Sequence, residues 1–314
     1  MGGAVKQLVV LSEFRSARQL NKSNHDHKRT RHVLRPSGSI SPSTNDGFNF
    51  SPAYLRRELT FMLAVPFMPT PQQLGQASEA SDLLVIQSAV RKVLSKSKAA
   101  GILRLAFHDA GTFDLYDNSG GMNGSIVYEL DRPENAGLSK SVKILDKAKS
   151  EIDGIQHVSW ADLISVAGAE AVALCGGPTI PIKLGRLDAR EPDPQGKLPE
   201  ESLDASGLKK CFLRKGFSTK ELVALSGAHT LGGKGFGNPN VFDNAYFKIL
   251  LEKPWASSAG MSNMIGLPTD RALVEDDECS RWISIYAVDE ARFFNDFKYA
   301  YAKLVDLGVS WKNI

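Results

Sequence analysis

Residues 101–124 read GILRLAFHDAGTFDLYDNSGGMNG and set Arg104 and His108 four residues apart on an apolar background. Residues at i and i+4 share a helix face one turn apart, so a guanidinium and an imidazole project together from a greasy wall. Burying a permanent cation there is costly unless something offsets it. A lone histidine on an apolar helix is more often a satisfied core residue than a catalyst, so the segment needs corroboration. As chemistry, one group of the pair can move a proton and the other can stabilise a developing negative charge. Heterolytic cleavage of an O–O bond needs both.

Corroboration comes from residues 221–244, ELVALSGAHTLGGKGFGNPNVFDN. Positions 221–229 read as a helix with Leu222, Val223 and Leu225 on its buried face, and Gly232, Gly233, Gly235 and Gly237 mark a loop beyond it. His229 falls at the end of that helix, where its ring can face a ligand. After His32 the histidines are His108, His157 and His229, and two of them lie in these two segments.

Together RLAFHDAGTFD (104–114) and ALSGAHTLG (224–232) resemble the class I haem peroxidases of plants, the ascorbate peroxidase group. ELDRPENAGL (129–138), WADLISVAGAEAV (160–172), GGPTIPIKLGRLDA (176–189), GLPTD (266–270) and the tail 286–309 have counterparts there in the same order. The resemblance spans about residues 78–312. It implies a mainly α, two-lobed fold of about ten helices, with haem b between a distal and a proximal lobe. It implies that His229 ligates the iron and that Asp270 accepts the hydrogen bond of the other ring nitrogen, which makes the imidazole more electron-donating. His108 is then the distal acid–base, Arg104 its electrostatic partner, and Asn135 the acceptor that orients the His108 ring. Phe107 caps the haem face. Thr230, Asn238, Val241 and Asp243 match parts of the family's potassium site, all offering hard oxygens. The pair Asp243-Asn244 reads equally as a helix N-cap.

Three departures from the family bear on the donor. Phe107 stands where the group usually has Trp and lacks the indole N–H. Secreted peroxidases carry Phe there, but they rest on several disulfides, and Cys175, Cys211 and Cys279 argue for reduced thiols. The loop 230–237, TLGGKGFG, is shorter than in the ascorbate enzymes and lacks both their proximal Trp and the Arg that binds ascorbate. Phe236 fills part of the missing indole volume. Lys234 is the one cation of that loop; it reads as a solvated lysine and does not reproduce an Arg fork. The combination resembles the ascorbate peroxidase-related branch.

At 314 residues, with 42% hydrophobic content, the chain can bury a sizeable core. Net charge +3 without a basic stripe gives no sign of nucleic acid, and no run of 18 apolar residues suggests a membrane span. Residues 1–44 hold eight Lys/Arg against two acids, with many Ser and Asn, a composition like that of an organelle transit peptide. Residues 1–75 are expected to be a plastid-directing or disordered segment and 76–314 the peroxidase domain. His25, His27 and His32 belong to that segment's composition. The stretch 56–70, RRELTFMLAVPFMPT, reads as a second, thylakoid-directed signal or as a segment packed on the domain.

Beyond it the periodicity predicts helices over 78–98, capped by Ser78, and over 139–150, 160–174, 218–229, 243–252, 270–276 and 289–307. A short strand is predicted at 179–184. Arg186 and Asp188 are expected to pair. Trp160, Trp282 and Trp311 read as packing residues, Trp255 as packing or an access edge, and His157 as a surface or capping residue. The reading is a plastid haem peroxidase that reduces hydrogen peroxide to water with a small one-electron donor, a phenol or another reductant at the haem edge, with ascorbate disfavoured. The alternative is a haem-binding protein of little turnover. A hydrolase built on His108 and Asp109 lacks a nucleophile in a recognisable turn.

Overall fold

The chain is described here by a computed structural model that covers residues 71–252 and 265–312. The transit-peptide reading of the N-terminal residues up to 70, the twin-arginine stretch and Trp255 lie outside the described residues. Helix α1 (Pro71–Val93) starts earlier and ends sooner than the predicted 78–98. Pro71 opens it at no hydrogen-bond cost, because a first-turn N–H has no helical acceptor. Ser95 then adopts an extended conformation (φ −139°, ψ 159°), and α2 (Lys96–Ala110) begins after it. α3 (Ser139–Asp153) and α4 (Trp160–Leu174) follow.

α4 is mostly apolar, with Asp162, Ser165 and Glu170 as its polar positions, and is buried along nearly its whole length. α2 packs closely on it because Gly168 has no side chain. A Cβ there would lie 3.0 Å from the Ala106 Cβ and 2.0 Å from the Tyr301 hydroxyl, which donates to the Ser165 carbonyl at 3.0 Å. The N-terminus of α4 is closed by acceptors: Ser159 Oγ takes the Asp162 N–H, and Asp188 takes those of Trp160 and Ala161 at 2.8 and 2.9 Å.

That arrangement corrects the expected Arg186–Asp188 pair. Arg186 is fully buried and pairs with Asp162 at 3.0 Å and Asp306 at 2.7 Å, while its Nε donates to the Val305 carbonyl. The ring of Trp311 covers the guanidinium at 4.9 Å. A helix N-terminus attracts carboxylate, so Asp188 is used there and Arg186 finds acids distant in sequence.

The C-terminal part comprises α5 (Ala205–Arg214), α6 (Thr219–Ser226), α7 (Ala245–Leu251), α8 (Pro268–Glu275), α9 (Asp277–Val288) and α10 (Glu290–Leu304). Two of these were not anticipated. α5 is amphipathic but only ten residues long and buries only Leu208 and Phe212, and the buried stripe of α9 includes Cys279 and Ala287. Their caps were readable: Asp204 accepts the Gly207 N–H and Asp276 that of Cys279. Residues 179–184 form no strand. Pro178 and Pro181 remove ladder donors, and the bridges among the described residues are isolated ones. His157 is exposed, as expected. Among the described residues no helix is long and apolar enough to cross a membrane.

Candidate active site

One face of α2 presents Ala100, Arg104, Phe107 and His108 to a cavity of about 1250 Å3 that Leu225, His229 and Leu273 also line. The i, i+4, i+7, i+8 spacing puts those four α2 residues on one stripe, while Ile102, Leu105, Ala106 and Asp109 turn into the protein. Phe107 lies nearly parallel to Phe212 of α5 at 6.4 Å and meets the His108 ring edge-on at 6.2 Å.

His108 is fixed at both nitrogens. Arg104 Nε, which can only donate, gives its N–H to His108 Nε2 at 3.1 Å. Nδ1 therefore carries the ring proton and donates it to Asn135 Oδ1 at 2.8 Å. Asn135 is oriented in turn, because its Nδ2 donates to the Glu129 carbonyl at 3.0 Å. Burial pushes the His108 pKa down from 6.5 to about 4; the Asn135 bond opposes this and the Arg104 charge adds to it. The ring is thus a neutral base over the ordinary pH range. The Arg104 Nη atoms donate to the Ala136 carbonyl at 2.9 Å and the Glu134 carbonyl at 2.7 Å. The segment 129–138 thereby holds both members of the pair.

Asp109 anchors the next turn. Its carboxyl accepts the N–H groups of Gly124 and Ile126 at 2.8 and 3.0 Å and is pushed up to about 8, chiefly by burial. Its oxygens are engaged with backbone, which removes it from a hydrolytic dyad with His108.

His229 stands not on α6 but on the 3-10 turn Gly227–Thr230 that follows it. α6 starts with a reciprocal box in which Ser218 and Glu221 bond each other's backbone N–H. The chain tightens at Gly227, where a Cβ would fall 2.5 Å from the Phe293 ring. His229 Nδ1 donates to Asp270 Oδ1 at 2.7 Å, leaving Nε2 as the atom with a free lone pair. The side chain is 37% exposed, and it lines the cavity. Asp270 is 1% exposed. Burial alone would raise its pKa, but the His229 ring, the Leu267 N–H at 2.7 Å and the Tyr246 hydroxyl at 2.9 Å hold it below the usual carboxylate range. Burial disfavours a charged His229, and Asp270 overcomes this to raise the His229 pKa.

Tyr246 was not foreseen. Its hydroxyl reaches the same Asp270 oxygen as His229, and the two rings stand edge-to-face at 5.9 Å. Phe236 is buried against Tyr246 at 4.7 Å. The signal available was a buried tyrosine's need for an acceptor, which says nothing about which acceptor. Lys234 is exposed and lines the cavity. Of the residues matched to a cation site, Thr230 Oγ1 donates to Asp243 Oδ1 at 2.7 Å, and that oxygen also takes the Ala245 N–H. Asn238 Oδ1 accepts the Asn240 N–H at 3.0 Å, and Val241 donates its own N–H to the Asn238 carbonyl. The Asp243–Ala245 bond answers the N-cap alternative, although α7 counts Asn244 as its cap residue.

Two histidines, one with a carboxylate partner and one with an arginine, line a single, mostly apolar cavity of the kind that haem peroxidases use. The family model described as peroxidase matches residues 85–238. A protein of Arabidopsis thaliana, "Putative L-ascorbate peroxidase 6", is 63% identical over 257 residues, covering 82% of this chain and 78% of that protein. Cytosolic L-ascorbate peroxidase 2 of the same plant is 40% identical over 232 residues, 70% of this chain and 89% of its own. A "Putative heme-binding peroxidase" of Gibberella zeae is 35% identical over 277 residues, 76% of this chain and 83% of its own. The chain belongs to the peroxidase family, in the class I branch related to the ascorbate peroxidases. It is accordingly a haem peroxidase, an oxidoreductase that takes peroxide and a reductant.

The residues present fit the cofactor. The cavity exceeds the roughly 300–1,000 Å3 of ordinary small-ligand clefts. Its walls carry leucines and Phe107 for the apolar faces of a macrocycle, and His229 brings to it an imidazole whose Nδ1 is bonded to Asp270.

Proposed function

We propose that the chain reduces hydrogen peroxide to water with a small one-electron donor, a phenol rather than ascorbate, in peroxide detoxification. When bound, haem supplies the iron at which peroxide binds and the electrons that cleave its O–O bond. His229 would hold that iron through Nε2, with Asp270 keeping the Nδ1 proton bonded so that the ring stays electron-rich. His108 takes a proton from peroxide at Nε2 and returns it to the departing oxygen, with Asn135 holding the tautomer that this requires. Arg104 has five N–H donors and commits three of them, so two remain for the charge that develops. Phe107 walls the cavity without adding a donor.

One observation carries this reading: the His108 ring is held between Asn135 and Arg104 in the one tautomer that leaves Nε2 basic. Stopped-flow absorption of the haem-reconstituted protein mixed with equimolar peroxide tests it. A rapid loss and red shift of the Soret band, reversed by a phenol and poorly by ascorbate, is expected. An unchanged Soret band refutes it.

A specific contact favours a second reading, a haem-binding protein of low turnover. Arg104 Nε already occupies the His108 lone pair that must receive the proton. Haem uptake without a peroxide-driven spectral change would establish it. Potassium does not enter the proposal, because Thr230 and Asp243 satisfy each other.

The composition of residues 1–44 supports a plastid address, the stroma before the thylakoid lumen. A fluorescent fusion of residues 1–75 that stays outside plastids would refute it.

A further inference from the structure

Soon after α2 the chain makes a tight turn, 114–119, that carries two large apolar side chains on its outside. The turn is held from within: the Asp114 N–H donates to the Ser119 carbonyl at 3.0 Å, the Tyr116 N–H to Asp114 Oδ1 at 3.0 Å, and the Ser119 N–H to Asp117 Oδ1 at 3.2 Å. The Leu115 N–H crosses to the Arg214 carbonyl at 2.8 Å, which fixes the turn on the end of α5. None of these bonds calls on the side chains at 115 and 116, yet both are large and apolar, and Leu115 and Tyr116 are 55% and 82% exposed. Leu213 of α5, 66% exposed, stands beside them and shares an open cleft of about 470 Å3 with Tyr116, Lys210 and Arg214. Single exposed leucines are ordinary, but three large apolar side chains gathered on one pinned knob mark a surface that meets something.

We propose that this knob docks the protein on an anionic lipid bilayer, with Leu115, Tyr116 and Leu213 entering the headgroup layer and Lys210 and Arg214 meeting lipid phosphates. The charge around the knob is complementary to that occupant. Lys210 is exposed and meets no carboxylate among the described residues. Arg214 lies over the Tyr116 ring at 5.1 Å and bonds Asp114 through Nε and Nη2, which leaves three of its five N–H donors for a ligand. Lys197 bonds Asp114 and Asp117, and the buried Lys215 donates to the Phe113 and Lys197 carbonyls at 3.0 and 2.8 Å. Four cations thus gather about two carboxylates, and the two of them that flank Leu213 in the cleft face solvent.

A bilayer suits the knob better than a protein partner does. A specific protein interface buries about 800 Å2 on each side, and one turn beside one short helix offers less than that. A bilayer needs no fitted area: apolar side chains enter it singly, and each nearby cation adds attraction to anionic headgroups. Tyrosine fits the headgroup level, where its ring is in apolar surroundings and its hydroxyl is wet. The knob also adjoins the cavity, because Thr112, just before the turn, and Lys197, bonded to it, both line the cavity wall. Docking therefore holds the cavity close to the lipid surface.

The test is co-sedimentation of the full chain with vesicles of phosphatidylcholine alone and of phosphatidylcholine mixed with phosphatidylglycerol. Binding to the anionic vesicles that weakens with added salt is expected, with little binding to the neutral ones. Lys210→Gln should weaken it about fivefold, the effect of one cation at an anionic surface. Leu213→Ser and Tyr116→Ser should each weaken it about tenfold, the scale of returning a large apolar side chain to water. Thermal unfolding and haem uptake of the three variants should match the parent's, since none of these side chains lines the cavity. Equal binding to both vesicles overturns the proposal, as does no binding to either. Binding that survives Lys210→Gln combined with Leu213→Ser also overturns it, because the contact then lies elsewhere, as in the basic residues 1–44. Self-association in place of vesicle binding, abolished by Leu213→Ser, would make the knob a protein interface and overturn the lipid assignment. The inference does not depend on the peroxidase reading, which stands whichever result is obtained.

Discussion

Lowering the pH from 7 to 5 should leave the reaction with peroxide nearly unchanged. His108 is held neutral because burial pushes its pKa from 6.5 to about 4. The gap corresponds to about 3 kcal/mol against the imidazolium, at about 1.4 kcal/mol per tenfold change. The sign is that of a base with a lowered pKa: it stays a competent proton acceptor above the lowered value and is lost only as pH falls through it. At pH 5 about 90% of such rings are neutral, against about 3% of rings titrating at 6.5, a difference of about 30-fold in available base. Haem in the cavity excludes more water and pushes the same way. The assay is the second-order rate constant of the Soret change, measured by stopped flow between pH 4 and 8. A plateau down to about pH 5 with a fall centred near 4 is expected. A fall centred near 6.5 would mean that the ring is solvated as an ordinary histidine, and the desolvation argument would fail. Asn135→Ala sharpens the test: the ring loses the acceptor that fixes its Nδ1 proton, and the plateau should drop by about 10–100-fold, the usual effect of removing an orienting partner. An unchanged plateau would show that Asn135 does not set the tautomer.

Further outcomes concern the iron ligand, the core and the buried charge. His229→Ala should abolish retention of haem on gel filtration, and Asp270→Asn should retain haem but raise its reduction potential, since the imidazole loses an anionic acceptor; an unmoved potential would remove Asp270 from that role. Gly168→Ala should lower stability in urea by about 1–3 kcal/mol through overpacking, because the new methyl meets the Tyr301 hydroxyl. Adding Tyr301→Phe should recover part of the loss; no recovery would place the clash elsewhere. Arg186→Ala should cost about 3–5 kcal/mol by leaving Asp162 buried and unpaired. Asp188→Ala should cost about 1 kcal/mol, the scale of a lost cap, and equal losses at the two sites would contradict the pairing described here.

The sequence by itself determined the helices that carry a strong apolar period and the chemistry placed on them. α4 could be read to the residue because its long, mostly apolar run has no Pro and ends just before Gly176 and Gly177. Arg104 and His108 could be placed on one face because helical spacing is a local property. His229 and Asp270 were paired through the family resemblance, since 41 residues separate them and no local rule spans that distance. What the chain does at Ser95, where one predicted helix becomes two, depends on how α1 and α2 pack and not on propensity. α5 and α9 escaped notice because burial, which makes Leu208 or Cys279 core residues, is conferred by neighbours distant in sequence.

Only the tertiary structure decided which polar groups meet. Arg186 takes Asp162 and Asp306 instead of the nearby Asp188, since buried charges are satisfied by whatever the fold brings into reach. Tyr246 joins His229 on Asp270, and Tyr286 finds Asp296, for the same reason. The low pKa of His108 is likewise a tertiary property. The four-residue spacing places the ring beside Arg104, but the desolvation that keeps it neutral comes from what the fold packs around it.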